Sequence, residues 1–141
     1  MQKIQFYFHD RRPALKERKK LKLFIENMFR KEKRALETLS YIFCSDEYLL
    51  TINKEFLEHD FYTDVITFDM GAKSEPTVGE VYLSVDRIRE NAKTEAISVT
   101  EELHRVIFHG ALHLCGYKDK IKTDKKKMRS AENRYLELYF K

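Results

Sequence analysis

The sequence predicts an α+β fold: a four-stranded sheet packed with about five helices, in a single domain spanning residues 1–141. Three observations carry that expectation. Short β-branched and aromatic stretches alternate with longer ones whose apolar residues recur at helical spacing. No Gly/Ser-rich linker, internal repeat or low-complexity tract divides the chain. At 141 residues it can bury about two thirds of its unfolded surface around one core.

The elements follow in order. Ile4–His9 alternates apolar and polar residues, as a half-buried strand does. Leu21, Phe24, Ile25, Met28 and Phe29 form the core stripe of an amphipathic helix whose other face carries Arg18, Lys19, Lys22, Arg30 and Lys33. Thr38–Cys44 reads as a second strand. Ser45 is suited to cap a short helix with Tyr48, Leu49, Ile52 and Phe56 on its apolar side. Asp64–Phe68 is a third strand, and a loop with Gly71 and Pro76 leads to a fourth, Gly79–Ser84. Ser84 is placed to cap a helix over 86–96. Thr100 is the expected cap of the next helix, with Glu101 and Glu102 at its positive end. That helix should reach about Cys115, where Gly116 supplies the residue that ends it. A last helix opens at Thr123 or Asp124, with Met128, Ala131, Tyr135, Leu138 and Tyr139 inward.

Composition narrows the partners. Hydrophobic residues make up 43% of the chain, charged residues 35%, and the net charge is +4, a balance that suits an anionic partner such as RNA. Cys44 and Cys115 lie far apart and read as reduced, buried thiols rather than a disulfide framework. No stretch approaches the ~18 apolar residues of a membrane span, and the first residues are too polar for a signal peptide. The expectation is a cytoplasmic protein with no membrane partner.

Chemistry concentrates in FHGALHLCGYKDK, residues 108–120. On a helix turning ~100° per residue, His109 and His113 differ by about 40° and share a face, the spacing by which a helix offers two imidazoles to one metal ion. After Gly116 the chain is free to turn back, and Asp119 is the first residue there able to supply a third ligand. Two His and one carboxylate suit Zn2+, one ion per chain, with a position left open for water; nickel or manganese are alternatives. The competing reading is a pair of half-buried core histidines. Three of the five histidines fall within residues 104–113, and Gly110 sits in mid-helix, where it costs roughly 1 kcal/mol and asks for a compensating close approach. Gly110 also occupies the place of the Glu in a His-Glu-x-x-His peptidase, which counts against proteolysis. Cys115 falls ~240° around the helix from His109 and points away. Arg105, one turn before His109, and Lys118 are candidate substrate-binding residues, with solvated surface as the plainer reading. The lysines at 120, 122 and 125–127 continue the basic run.

Three motifs in order resemble the YbeY family of bacterial metal-dependent endoribonucleases implicated in rRNA maturation. HGALHLCGY (109–117) is similar to the family's His-Gly-x-Leu-His-Leu-x-Gly-Tyr-Asp-His signature. Asn53, Phe56 and residues 60–68 resemble its Asn-x-x-Tyr-Arg and Asp-x-x-Thr-Asp-Val-Leu-Ser-Phe segment, and residues 79–84 its Gly-Asp-Ile-x-x-Ser strand. Two positions depart from the pattern. Asp119 stands at the family's third histidine in an ungapped match; with one inserted residue, Lys120 does. Lysine is a very poor ligand, so both alignments leave Asp119 as the third one. Leu57 stands where the family has an arginine thought to face the substrate.

The resemblance implies a single-strand-specific, metal-dependent endoribonuclease acting in small-subunit (16S) rRNA maturation and ribosome quality control, with RNA or the small ribosomal subunit as partner and no DNA. His109, His113 and Asp119 would hold the metal at the end of a central helix. A metal-bound water would be the catalytic group, with no side chain assigned. The alternatives are a metal-stabilised ribosome-associated binding factor with little catalysis, and a metal-dependent hydrolase of a non-RNA substrate.

Overall fold

A computed structural model describes residues 2–72 and 74–141. The order of elements matches the expected one: β1 (Ile4–Phe8), α1 (Arg18–Lys31), β2 (Leu36–Cys44), α2 (Asp46–Leu57), β3 (Val65–Asp69), β4 (Thr77–Ser84), α3 (Val85–Glu95), α4 (Val99–Leu114) and α5 (Lys122–Tyr139). The four strands form one sheet in the order β1-β2-β4-β3. β1, β2 and β4 run parallel, and β3 returns antiparallel along β4. The parallel pairs need crossovers, and α1 supplies the one between β1 and β2.

The sheet has two covered faces. Leu39, Tyr41 and Phe43 of β2 and Val81 and Leu83 of β4 point into the main core with α1, α4 and α5. The alternate residues, with Cys44, Ile66 and Tyr82 among them, pack under Leu49 and Ile52 of α2. α4 is the central helix: Leu103, Val106, Ile107, Phe108, Ala111, Leu112 and Leu114 are all buried. It lies close on β4. An added Cβ at Gly110 would stand 2.7 Å from Val81 Cγ1, so close approach of a strand explains the mid-helix glycine. The contact is reciprocal, because a Cβ at Gly79 of β4 would stand 2.6 Å from Leu114 Cδ1.

Caps locate most helix starts. The Ser45 and Ser84 hydroxyls accept from the N–H groups of Tyr48 and Arg87, as expected. α4 differs: Ser98, not Thr100, is its cap, accepting from Glu101 N–H at 3.0 Å. The Thr100 carbonyl instead accepts from His104 Nδ1. α5 starts at Lys122 after Ile121, without a side-chain cap, earlier than Thr123 or Asp124 would place it. Leu138 of α5 and Phe56 of α2 lie outside their buried faces, and Leu136 is buried instead of Leu138. Both cysteines are free and buried, and burial pushes both thiols up to about 12. Among the described residues no helix is long and apolar enough to cross a membrane.

Candidate functional site

Helix α4 carries the site on the strip away from β4. Glu102 and His109, seven residues apart, differ by only ~20° around the axis, with Arg105 and His113 beside them. At the helix end, Gly116 adopts φ +107°, a conformation that favours glycine. Gly116 N–H donates to the His113 carbonyl and Tyr117 N–H to the Leu112 carbonyl, both at 3.1 Å, the paired bonds of a Schellman turn. This reversal sends residues 117–119 back along the helix. The Tyr117 carbonyl then accepts from His113 Nδ1 at 2.9 Å, and the Asp119 carboxylate stands 3.2 Å from His109 Nε2.

His109 is held from two sides. Its Nδ1 donates to Glu132 Oε2 of α5 at 2.7 Å, and the other Glu132 oxygen meets Arg105 at 3.2 Å. Glu132 and Arg105 are both buried, so each neutralises a charge the other would leave in the interior. Arg105 also lies 3.8 Å from Glu101, while its Nε is buried without a partner. Burial pushes the His109 pKa down, but the Glu132 hydrogen bond and the charges of Glu132, Asp119 and Asp64 outweigh it, so the net shift is upward.

The two imidazoles share a logic. A carbonyl only accepts, so the Tyr117 contact fixes the proton of His113 on Nδ1; Glu132 does the same for His109. Both Nε2 atoms are therefore left to bind something else, the usual arrangement behind metal-ligating histidines. The rings lie nearly parallel at 12°, with centroids 6.3 Å apart. Asp119 meets His109. Among the described residues no three His, Cys, Asp or Glu side chains stand grouped closely enough to hold a metal ion, so His113 lies beside the His109–Asp119 pair rather than converged upon it. His104, the third histidine of the stretch, is a core residue. Its ring stacks on Tyr139 at 5.2 Å, and burial lowers its pKa.

A cleft of about 270 Å³ opens beside His109 and Asp119, lined also by Asp64, Glu102, Arg105, Lys125, Arg129 and Glu132. Burial, and after it the charge of Asp64, pushes Glu102 up to about 7. Burial likewise raises Asp64, against the pull of His109. Arg105 thus reaches the cleft wall while remaining tied to Glu132. Lys118 lies elsewhere, with Lys127 and Arg34 in an adjacent groove around Gly116. His113 borders a third recess, with Lys33, Arg34 and Gly116.

Glu132, Glu102 and Asp64 are the site residues that sequence reasoning passed over. Glu132 had a readable signal, because it falls on the inward stripe of α5 with Met128, Ala131 and Tyr135 and is the one acid there. Glu102 had none: an acid in a first helical turn already has an explanation in the helix dipole.

Comparison with known proteins agrees with this frame. A sequence model of the family described as Endoribonuclease YbeY matches residues 7–139. Curated proteins named Endoribonuclease YbeY are similar. That of Cytophaga hutchinsonii is 44% identical over 96% of this chain and 94% of its own length. That of Porphyromonas gingivalis is 50% identical over 73% of this chain and 68% of its own. The solution structure of TM1509 from Thermotoga maritima superposes with a TM-score of 0.65 at 26% identity, covering 97% of this chain and 89% of that one.

Proposed function

The chain belongs to the YbeY family, and from that premise we propose that it is a metal-dependent endoribonuclease cutting single-stranded RNA. The setting we propose is cytoplasmic maturation and quality control of small-subunit (16S) ribosomal RNA, with rRNA or the small subunit as partner. The observation that carries the reading is the double fastening of His109: Nδ1 on a buried carboxylate, Nε2 facing Asp119. It sets the His109 Nε2 beside a carboxylate oxygen, with the His113 Nε2 on the next turn, and these donor types suit zinc.

In this reading His109, His113 and Asp119 hold the ion. When bound, zinc supplies a Lewis acid for a phosphoryl oxygen and acidifies a coordinated water. The protein's own residues do the rest. Glu132 keeps the His109 ring oriented and its proton on Nδ1. Arg105 holds Glu132 in place through its contact with the second carboxylate oxygen. Lys125 and Arg129 bring positive charge to the cleft, where a phosphodiester backbone needs it. Lys118 lies on the neighbouring groove and suits the backbone beyond the cut.

The test is cleavage of a single-stranded RNA by the zinc-loaded chain, with and without chelator, alongside Asp119→Ala and metal content after dialysis. Cleavage that chelator abolishes is the expected result. Asp119→Ala should lose its metal and more than the ~10–100-fold in activity typical of removing an outer partner. RNA bound but left intact would move the reading to a binding factor. Full metal occupancy in Asp119→Ala would remove Asp119 from the ligand set.

A further inference from the structure

We propose that the loop joining α2 to β3 is a stacking platform for unpaired bases of the RNA, with the open face of Phe61 as its main surface. The inference rests on the ribonuclease reading above and specifies how the substrate is held. Its first support is exposure. Phe56, Leu57, Phe61 and Tyr62 are 64%, 39%, 55% and 45% exposed, so four large apolar side chains within one short stretch face solvent. Exposed apolar residues in a cluster mark a contact surface more often than scattered ones do.

The second support is that the loop is fastened rather than loose. Glu58 turns the chain with φ 56°, and His59 N–H donates to the Asn53 carbonyl at 3.1 Å. The Asn53 side chain, on a residue 1% exposed, donates back to the Phe61 carbonyl at 2.9 Å. Tyr62 donates its hydroxyl to Glu47 at 2.8 Å, and Lys54 pairs with Asp60 at 3.3 Å. These contacts hold the backbone while leaving Phe61 outside the core. The His59 ring stacks on Phe61 at 5.0 Å and 22°, making a two-ring stack on an exposed loop. Sequence-tolerant stacking on such rings is how proteins hold single-stranded RNA.

The third support is continuity with the cleft. Phe61 lies three Cα–Cα steps before Asp64, which lines the cleft with His109 and Asp119. At ~3.8 Å per residue their Cα atoms lie at most about 11 Å apart, a nucleotide or two of extended RNA. An unpaired base seated on Phe61 would leave its neighbouring phosphodiester within reach of the cleft, and a paired base could not leave its helix to do so.

The test uses the full-length, metal-loaded chain and a short single-stranded RNA carrying one fluorescent base, compared with the same strand in a duplex. Phe61→Ala should weaken single-strand binding by about 5- to 100-fold, from the usual worth of one base–aromatic stack. It should also reduce the change in base fluorescence on binding. Phe61→Tyr should restore both; Phe61→Leu, apolar but not aromatic, should not. Metal content should be unchanged throughout. If Phe61→Ala or Phe61→Leu binds and cuts as wild type does, the platform is overturned, the ribonuclease reading survives, and the patch is left for a protein partner. If the wild-type chain neither binds nor cuts RNA, both fall together.

Discussion

The two sides of α4 are built on different physics. The side facing β4 is dry and fixed by close packing: Gly110 stands against Val81, and Leu114 lies over Gly79. The opposite side is fixed by charge, through Arg105, Glu132, His109 and Asp119 in a chain of contacts between 2.7 and 3.2 Å. Close packing tolerates little change of shape but is indifferent to pH. Paired charges tolerate shape but not the loss of a partner. The helix therefore has a rigid seat on one side and a polar strip on the other whose protonation its neighbours set.

Removing Glu132 should have the largest effect. Glu132→Ala leaves Arg105 buried with only the more distant Glu101, and His109 without its orienting acceptor. The expected cost is about 3–5 kcal/mol of folding stability, read by denaturant unfolding. A cost below ~1 kcal/mol would mean that the polar strip is solvated and that the contrast between the two sides is false.

Glu102 gives the next effect, and it carries a sign. Its carboxyl is raised from the ordinary 4.5 to about 7, so the folded state favours the protonated form. The resulting stability is fully present below about 4.5 and is lost as pH rises through about 7. Glu102→Gln cannot ionise. It should match wild type at pH 4 and be more stable at pH 8 by roughly 2–4 kcal/mol. Equal differences at both pH values would show that ionisation is not the source.

Much of this was readable beforehand, and the parts that were not have physical reasons. Helical phase placed His109 and His113 on one face, and the glycine at 116 announced the turn that brings Asp119 back to His109. The phase argument fixes directions around an axis but not how far apart rings stand, so it left open whether three ligands converge. Ser98 and Thr100 are both good caps, and only the hydrogen bond chooses Ser98. Leu138 and Phe56 fit an apolar stripe but sit at its exposed edge, where the pattern alone does not say how far the covering layer reaches. Glu132 acts across 23 residues of sequence from His109, and a pairing between two helices is invisible until they are packed.

The smallest effect tests the dry side. Adding a methyl group at Gly110 forces Val81 to move. Val81 is β-branched, fully buried and held in the sheet, so it gives way poorly. Overpacking costs about 1–3 kcal/mol, and the better helix propensity of alanine returns up to ~1, leaving Gly110→Ala destabilised by about 1–2. Gly79→Ala meets the far end of the Leu114 side chain, which has rotamers to spare, and should be nearly neutral. The discriminating measurement is a cycle with Val81→Ala. The space vacated at Val81 should accept the new methyl, so the double variant should be more stable than the two single costs added together by at least ~1 kcal/mol. Strict additivity would mean that Gly110 is not there for close approach, and that the seat of α4 on β4 is looser than the distances require.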